Sequence, residues 1–244
     1  MKRKKLRHKI IALIPARQGS ERIKNKNIVR LSKLPLIAHT ILAAKKSNLF
    51  SKILVSTNSK KYAKISKKFG AEVPFLRPNN ISTSQSSDYQ WVNFTIKRLK
   101  KKGEIFSHFF ILRPTNPFRT SKTILRAWTV FKKIKGADSL RAVEICKQHP
   151  GKMWVKSNQF IKPYIFGKKN NQPYHNLQFK SLPKIFIQNA SLEISKIKVL
   201  NHYKTITGKK IVPFYTSDIE GFDINYPSDL KFANYLTKKI GQNK

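Results

Sequence analysis

IPARQGSERIKNKN, the stretch from Ile14 to Asn27, follows the apolar run IIAL at 10–13 without a break. Five apolar residues in a row predict a strand buried on both faces, and the proline, glycine and basic residues after them predict a loop. In open α/β sheets ligands bind beyond the carboxyl ends of the strands, which is where this loop falls. The stretch therefore predicts an anion-binding loop, although basic loops are common in this chain and a merely solvated loop stays open.

The distribution of positive charge along the chain argues against a nucleic-acid-binding function. Of the 244 residues, 51 are Lys or Arg and 11 are Asp or Glu, a formal net charge of +40. Such an excess is typical of proteins that bind nucleic acid or anionic membranes. Here it is spread from Lys2 to Lys244 instead of forming one stripe. We therefore expect a self-repelling surface and no specific nucleic-acid partner.

Cysteine usage and hydropathy indicate the compartment. The single cysteine, Cys146, excludes an intramolecular disulfide and a cysteine-based zinc site, which favours the reducing cytoplasm. Residues 1–9 are predicted to form a basic N-terminal tail. The apolar run after this tail ends at Pro15 and Arg17, too soon for a signal peptide, and no later segment is long enough to span a membrane.

The remaining pattern alternates short apolar runs with amphipathic stretches of ten or more residues. It predicts an α/β fold with a doubly wound, mixed and mostly parallel sheet covered on both faces. Ser121 is the expected N-cap of the fourth helix. The predicted strands are Ile10–Ile14, Lys52–Ser56, Val73–Leu76, Ser107–Leu112, Ser139–Val143 and two runs near 184–195 and 211–216; the predicted helices are Leu36–Lys46, Lys60–Phe69, Tyr89–Lys101, Ser121–Ile134 and Asp229–Lys239.

One segment departs from this alternation. Residues 147–183 are rich in Pro, Gly, Asn and Gln with scattered aromatic residues, and they show no clear period. We interpret them as an arm inserted into a single domain spanning 10–244, serving as a dimer contact or a lid.

The loop after the first strand has its own chemistry. Gly19 and Ser20 let a backbone approach phosphate oxygens, and Arg17 and Lys26 supply cations. The loop matches neither the P-loop nor the dinucleotide-binding glycine pattern, and the six histidines show no metalloprotease spacing.

Seven further segments occur in a recognisable order along the chain: VSTNS at 55–59, FGAEVPFLRP at 69–78, LRPTNPFR at 112–119, DSLRAVE at 138–144, HPGKMW at 149–154, QNASLEI at 188–194 and GFDIN at 221–225. With the loop pattern IPAR-x-GS followed by Lys26 and Asn27, the sequence resembles the acylneuraminate cytidylyltransferase family, the CMP-sialic acid or CMP-nonulosonate synthetases. The resemblance covers almost the whole chain.

The resemblance implies a fold and a reaction. Similar proteins have an α/β fold of the nucleotide-diphospho-sugar transferase type and usually form homodimers through an extension from the sheet. They join CTP and a free nonulosonic acid to give the CMP-sugar and pyrophosphate, with Mg²⁺. The expected partners of this chain are therefore CTP and a sialic-acid-like sugar.

By the same resemblance, nucleotide contacts can be placed on this sequence. Arg17 and Lys26 would hold the triphosphate, and a loop at 82–88 that includes Ser87 would border the nucleotide. The pocket for the cytidine would include Ala16, Asn27 and Arg77. Arg17 and Lys26, with Asp223, are the expected catalytic residues, because phosphoryl transfer mainly needs positioning and neutralisation of charge.

Asp223 is the expected Mg²⁺ ligand, with Asn225 as a second ligand. Related synthetases often carry Asp-x-Asp in this segment, whereas Asn225 occupies the second place here. An amide oxygen ligates Mg²⁺ without the charge of a carboxylate. The alternative is a simple turn before a helix.

The expected sugar-binding residues also depart from the family pattern. They are Arg113, Lys152, Gln188, Asn189 and Glu193. Sialic acid enzymes commonly have Gln at the position of Arg113 and an aromatic hydroxyl at that of Glu193, so a legionaminic, pseudaminic or other modified nonulosonic acid is an equal candidate. Arg113 and Glu193 could instead form a structural ion pair.

Three other functions stay open at this point. The nearest is a cytidylyltransferase for 3-deoxy-manno-octulosonate, which shares fold and reaction. The second is a non-catalytic basic protein that binds polyanions, which predicts salt-sensitive binding and no nucleotide turnover. The third is a family member that has lost activity, suggested by Glu21 and Asn225.

Overall fold

The computed structural model describes residues 9–242, so residues 1–8 of the predicted basic tail lie outside the described part. The chain divides into two compact units. The first comprises the described residues up to Ala142 together with those from Asn189 onward, and the second is Val143–Gln188. The second unit contains the whole of the predicted arm at 147–183.

The first unit contains most of the predicted strands and helices in the predicted order, together with three short elements that were not predicted: Arg30–Leu31, Leu34–Pro35 and Lys198–His202. Its strands are β1 (Ile10–Pro15), β2 (Arg30–Leu31), β3 (Leu34–Pro35), β4 (Lys52–Ser56), β5 (His108–Ile111), β6 (Ser139–Ile145), β11 (Phe186–Lys196) and β12 (Ile211–Tyr215). Its helices are α1 (Leu36–Lys46), α2 (Lys60–Lys68), α3 (Asp88–Lys101), α4 (Ser121–Lys133), α5 (Lys198–His202) and α6 (Pro227–Gln242). Strands β6 and β11 run across the boundary between the units.

The second unit contains short strands and single turns. Strands β7 (Trp154–Ser157) and β8 (Phe160–Pro163) form one antiparallel hairpin, and β9 (Lys168–Lys169) and β10 (Gln172–Pro173) form another. The absence of a sequence period in this segment agrees with such short elements.

The six-stranded sheet has the order β12-β6-β11-β5-β1-β4. Strand β1 pairs in parallel with β4 on one side and with β5 on the other, whereas β11 pairs antiparallel with β5. Parallel neighbours bring the carboxyl ends of β4, β1 and β5 to one edge of the sheet. The predicted class, an α/β fold with a mixed and mainly parallel sheet, is confirmed.

Alternate residues of β1 explain why helices cover both faces of the sheet. Ala12 and Ile14 belong to a core that contains side chains of α1, α2 and α4. Ile11 and Leu13 point to the opposite face and pack in a second core with side chains of α3. A strand whose every residue is buried needs apolar neighbours on both sides, which is why its sequence is a continuous apolar run.

Two local expectations are wrong. Val73–Leu76 forms no strand: the chain makes only an isolated bridge between Leu54 and Glu72, the residue before this segment, and Pro74 has no backbone N–H for a further ladder bond. The N-cap of α4 is Thr120 and not Ser121: the Thr120 side chain accepts from the backbone N–H of Thr123 at 3.2 Å. Hydroxyls at adjacent positions cannot be separated by pattern alone.

Within residues 9–242, no helix combines the length and the apolar character that crossing a lipid bilayer requires.

Candidate active site

The loop between β1 and β2, residues 16–29, is called the basic loop here. Gly19 has a φ of 92°, in the left-handed region that favours glycine, and its carbonyl accepts from Arg17 Nη1 at 2.6 Å. The buried Asn27 closes the other end by donating from Nδ2 to the Arg17 carbonyl at 3.1 Å. The second bond holds Arg17 and Asn27 together although they are ten positions apart in the sequence.

Lys26 begins a single helical turn, Lys26–Ile28, and its side chain reaches the C-terminal part of the chain. Its Nζ donates to the Ile224 carbonyl at 3.0 Å and to Asn225 Oδ1 at 3.4 Å. Burial lowers the pKa of Lys26, the charge of Asp223 opposes this shift, and Arg22 and Arg17 add to it by repulsion. Lys26 is therefore a cation held close to other cations.

Arg77 reaches the same edge of the sheet from the segment after α2. The buried guanidinium donates from Nη2 to the Ser56 carbonyl at 2.7 Å and from Nε to the Ser56 hydroxyl at 3.0 Å. It also lies over the Trp91 ring, 4.8 Å from the centroid, in a cation–π contact. Burial lowers its pKa to about 10, with Asp88 opposing and Arg17 reinforcing the shift.

A loop rich in hydroxyl groups precedes α3. Ser87 and Gln90 form a capping box at the start of the helix, with the Ser87 hydroxyl accepting from the Gln90 backbone N–H. Asp88, the first helical residue, accepts at Oδ1 from the Trp91 indole at 2.8 Å. The helix thus begins at the sheet edge with polar groups in a fixed arrangement.

These elements surround an open depression, the basic cleft, at the carboxyl ends of β1 and β5. Its volume is about 460 Å³, within the usual range for small-molecule sites. It is lined by Pro15, Arg17, Ser20, Lys26, Asn27, Arg77, Thr83, Ser84, Ser86, Ser87, Asp88, Trp91, Arg113, Pro114 and Thr115.

The cleft carries unbalanced positive charge. Among the described residues, no carboxylate lies within ion-pair distance of Arg17, Lys26 or Arg77. Repulsion from Arg17 contributes to the lowered pKa values of both Lys26 and Arg77. A bound polyanion would relieve this repulsion. The arrangement is therefore suited to a ligand with several negative charges.

Asp223 is not one of the residues that line the cleft, but it lies in the C-terminal segment that contacts Lys26. Its Oδ2 accepts from Asn225 Nδ2 at 2.7 Å, while its Oδ1 is buried and has no hydrogen-bond partner. The neighbouring Ile224 donates its N–H to the Thr115 carbonyl at 2.9 Å, which ties this segment to the wall of the cleft. Within residues 9–242, no three His, Cys, Asp or Glu side chains cluster as a complete metal site.

An unpartnered buried carboxylate oxygen fits a Mg²⁺ ion that takes its other ligands from phosphate and water. Asn225 is already engaged on both sides, because its Oδ1 accepts from Lys26 and its Nδ2 donates to Asp223. The described residues therefore fit a site in which Asp223 is the one protein ligand better than a site in which Asp223 and Asn225 both bind the ion.

Arg113, at the end of β5, belongs to a network of ion pairs. Its Nη2 lies 2.5 Å from Asp88 Oδ2 and 2.7 Å from Glu193 Oε1. Glu193 also pairs with Arg141 through its other oxygen. The structural ion pair that sequence left open is present, and Arg113 lines the cleft at the same time.

Arg119 supports this part of the site from inside the protein. It is fully buried, and it donates to the carbonyls of Arg113 and Ser191 and, at 2.8 Å, to the Thr40 hydroxyl. Burial lowers its pKa to about 9. Three elements are thereby joined under the end of β5.

The structure separates the remaining predicted residues. Ala16 is fully buried and Gly19 is exposed, and neither lines the cleft. Asn189 donates from its side chain to Thr216 at 2.7 Å. Lys152 and Gln188 are exposed residues of the second unit, where Lys152 Nζ donates to the His175 carbonyl at 3.3 Å.

Sequence reasoning missed several wall residues: Pro15, Trp91, Pro114 and Thr115. Pro114 and Thr115 follow the carboxyl end of β5, so the rule that ligands bind at strand ends could have found them. Trp91 sits one helical turn after the hydroxyl loop and is almost fully buried, so its pattern is that of a core residue.

A family model described as "Cytidylyltransferase" matches residues 11–164, the segment that supplies every residue of the cleft wall. The chain belongs to the cytidylyltransferase family. It is therefore a nucleotidyltransferase enzyme, as the sequence predicted.

Two curated relatives of this cytidylyltransferase match over nearly their full length. The CMP-N,N'-diacetyllegionaminic acid synthase of Legionella pneumophila is 32% identical, over 95% of this chain and 96% of the relative. The pseudaminic acid cytidylyltransferase of Campylobacter jejuni is 30% identical, over 94% of this chain and 97% of the relative. The predicted acylneuraminate cytidylyltransferase type is confirmed.

A solved structure supports the fold. A CMP:2-keto-3-deoxy-manno-octonic acid synthetase complexed with CTP superposes with a TM-score of 0.69 at 14% identity, covering 95% of this chain and 99% of that one. At this identity the likeness concerns the fold alone.

Proposed function

We propose that this cytidylyltransferase joins CTP to a nonulosonic acid and releases pyrophosphate. In the reaction the anomeric hydroxyl oxygen of the sugar bonds to the α-phosphorus. The bond from that phosphorus to the bridging oxygen breaks, pyrophosphate leaves with the electron pair, and the hydroxyl proton passes to solvent. The observation that carries the proposal is the set of three cations, Arg17, Lys26 and Arg77, without paired carboxylates in a cleft at the strand ends.

The cations divide the work by position. Arg17 and Lys26 hold the triphosphate, because both come from the basic loop and both line the cleft. Charge that builds up on the leaving pyrophosphate meets these fixed cations, which is the main requirement of phosphoryl transfer. Arg77, Asn27 and Ser87 line the same cleft. We assign them to the nucleoside.

A Mg²⁺ ion is the proposed cofactor. The unpartnered Oδ1 of Asp223 would hold it, and Asn225 would support Asp223 through the bond to Oδ2. When bound, the ion would neutralise phosphate charge and help to orient the triphosphate. Lys26, anchored beside Asn225, keeps the C-terminal segment and the basic loop in register.

The sugar is proposed to be of the legionaminic or pseudaminic type. The two curated relatives described above carry those sugars in their names. In this chain the strand-end residue Arg113 is held by two carboxylates, so that side of the cleft presents a fixed guanidinium edge instead of a neutral amide. A modified nonulosonic acid with acceptor groups suits such an edge.

A homodimer in the cytoplasm is the proposed working state. The second unit exposes several large apolar side chains, including Phe160 at 69%, Ile161 at 62% and Phe166 at 79%. Exposed apolar patches of this kind mark interaction surfaces. The buried free thiol of Cys146 suits a reducing compartment.

The test is pyrophosphate release with Mg²⁺ and each of CTP, ATP, GTP and UTP, across a panel of nonulosonic acids and 3-deoxy-manno-octulosonate. Release with CTP and a legionaminic or pseudaminic acid is expected. Lys26→Met should lower kcat by about 10²–10³-fold, whereas the matched control Lys33→Met, at an exposed lysine, should not. Release only with 3-deoxy-manno-octulosonate, or no release with tight salt-sensitive polyanion binding, would overturn the proposal.

A further inference from the structure

Asn25 has a backbone conformation that a non-glycine residue rarely adopts. Its φ is 56° and its ψ is 33°, in the left-handed region. Its carbonyl accepts from the backbone N–H of Ile28 at 2.9 Å and of Val29 at 3.1 Å. The turn that follows carries Lys26 and Asn27, so the conformation of Asn25 sets where these two cleft residues point.

Tyr62, outside the cleft, holds the side chain of Asn25. Its hydroxyl donates to Asn25 Oδ1 at 3.1 Å across 37 positions of sequence. The ring of Tyr62 is fully buried in the core between the sheet and α2. Burial raises the pKa of Tyr62, so the hydroxyl keeps its proton near neutral pH and remains a donor.

The left-handed conformation costs free energy for any residue with a Cβ, and it persists only where surrounding contacts compensate. Asn tolerates this region better than most residues, and its side chain offers an oxygen that a partner can bind. The Tyr62 hydroxyl is such a partner, and it approaches from a rigid helix.

We propose that the hydrogen bond from Tyr62 to Asn25 is a positioning device that keeps the basic loop in the form that binds the triphosphate. The proposal rests on the proposed function, since it takes CTP as the ligand of the loop. Without the bond, Asn25 spends part of its time outside the left-handed region and Lys26 leaves the cleft. Apparent affinity then falls in proportion to the competent fraction.

The first experiment compares wild type with Tyr62→Phe, which keeps the ring in the core and removes only the hydroxyl. Calorimetric titration with CTP should show about 2- to 10-fold weaker binding, the usual net effect of one hydrogen bond. In steady-state assays the KM for CTP should rise by the same factor while kcat changes less. Unchanged affinity would overturn the proposal.

A double-variant cycle with Asn25→Gly separates positioning from general stability. Glycine adopts a φ of 56° without help and offers no oxygen to Tyr62. In the Asn25→Gly background, Tyr62→Phe should therefore leave CTP affinity unchanged. An equal loss of affinity in both backgrounds would contradict the proposal, because the hydroxyl would then act through another partner.

Asn48→Gly is the matched control, since Asn48 also has a left-handed φ of 49° but lies after α1. It should not alter CTP affinity. Melting temperatures of all variants are recorded in parallel. If the effects of Tyr62→Phe and Asn25→Gly are non-additive in melting temperature but additive in CTP affinity, the bond has a structural role and the positioning role is contradicted.

Hydrogen exchange of the ligand-free protein tests the device independently of any nucleotide. The amides of Ile28 and Val29, which bond to Asn25, should exchange several-fold faster in Tyr62→Phe than in wild type. Unchanged exchange would contradict the proposal even if CTP binds. Faster exchange in a protein that does not bind CTP would instead refute the proposed function and leave the loop contact standing.

Discussion

Arg113 and Glu193 form an ion pair, with Arg113 Nη2 lying 2.7 Å from Glu193 Oε1, and the same nitrogen lies 2.5 Å from Asp88. Arg141 pairs with the other oxygen of Glu193. The four side chains are a neutral set of two cations and two anions in which Glu193 is almost fully buried. Such a neutral set as a whole has little effect on the free energy of unfolding, but removal of one member leaves a buried charge without its partner.

Glu193→Gln should destabilise the protein by about 3 kcal/mol, because Arg141 and Arg113 lose their shared counter-charge in a buried place. Urea unfolding measures the change. Glu104→Gln is the control, since Glu104 pairs with Lys52 near the surface and should cost less than about 1 kcal/mol. Equal costs for the two variants would show that the network contributes no more than a surface pair.

Asp88 should make stability depend on acid pH. Burial disfavours its charge, but Arg113 and the hydrogen bonds from Arg113 and Trp91 outweigh this and hold its pKa below the ordinary value of 3.8. A carboxyl with a depressed folded pKa stabilises above its unfolded pKa and loses this contribution as pH falls through the folded value. The stability difference between wild type and Asp88→Asn should therefore be constant above about pH 5 and shrink below pH 4.

Urea titrations of both proteins from acid to neutral pH test this expectation. A difference that does not change with pH would mean that Asp88 is protonated throughout or has equal pKa values in the folded and unfolded states.

Lys26 should limit activity at alkaline pH. Burial, only partly opposed by Asp223, lowers its pKa below the ordinary 10.5. In the proposed role Lys26 binds the triphosphate in its charged form, so kcat/KM for CTP should fall as the free enzyme loses this proton. Lys26→Arg stays charged, so its alkaline limb should lie at higher pH. Coincident limbs in the two profiles would assign the titration to another group.

A Mg²⁺ ion bound at Asp223 should change the melting temperature of the protein, which can be measured without turnover. Asn225→Asp replaces a hydrogen bond to Asp223 by repulsion between two carboxylates. Its melting temperature should fall in EDTA and rise on addition of Mg²⁺ by more than that of wild type. Asp223→Ala should abolish Mg²⁺-dependent turnover. Equal changes in melting temperature on addition of Mg²⁺ for Asn225→Asp and wild type would show that the metal does not bind at this segment.

The second unit should control self-association. Phe166→Asp places a charge at a side chain that is 79% exposed, and it should shift the protein from dimer to monomer in light scattering. Ile105→Asp is a matched control in the first unit at 68% exposure. A monomeric wild type, or a dimer that survives Phe166→Asp unchanged, would contradict this assignment.

The sheet and the basic loop were accessible from sequence because local pattern determines them. The apolar run before Pro15 needs burial on both faces, and Gly19 with its basic neighbours follows directly in the chain. Val73–Leu76 was predicted as a strand although it contains Pro74, which has no N–H to donate to a sheet, and only Glu72 beside it bridges Leu54 of the edge strand β4. Propensity describes the segment, whereas pairing depends on the rest of the fold.

The contacts that shape the site were not accessible in this way. Tyr62 and Asn25 are 37 positions apart, and the buried Arg119 bonds to Ser191 across 72. Nothing in the local sequence marks either residue, because each is recognisable only once the fold has brought its partner near. Asp88 was placed at the border of the nucleotide, but its pairing with Arg113 needed the geometry of α3 against β5.

The bond from Lys26 to the Ile224 carbonyl spans 198 positions of the chain. During synthesis at roughly 5–20 residues per second, the ribosome therefore completes the basic loop on the order of ten seconds or more before its anchor exists. Until then Lys26 lacks this acceptor, and the basic loop is without its anchor in the C-terminal segment. A truncated chain that stops before Ile224 would contain every residue that lines the cleft but would lack the carbonyl that anchors Lys26.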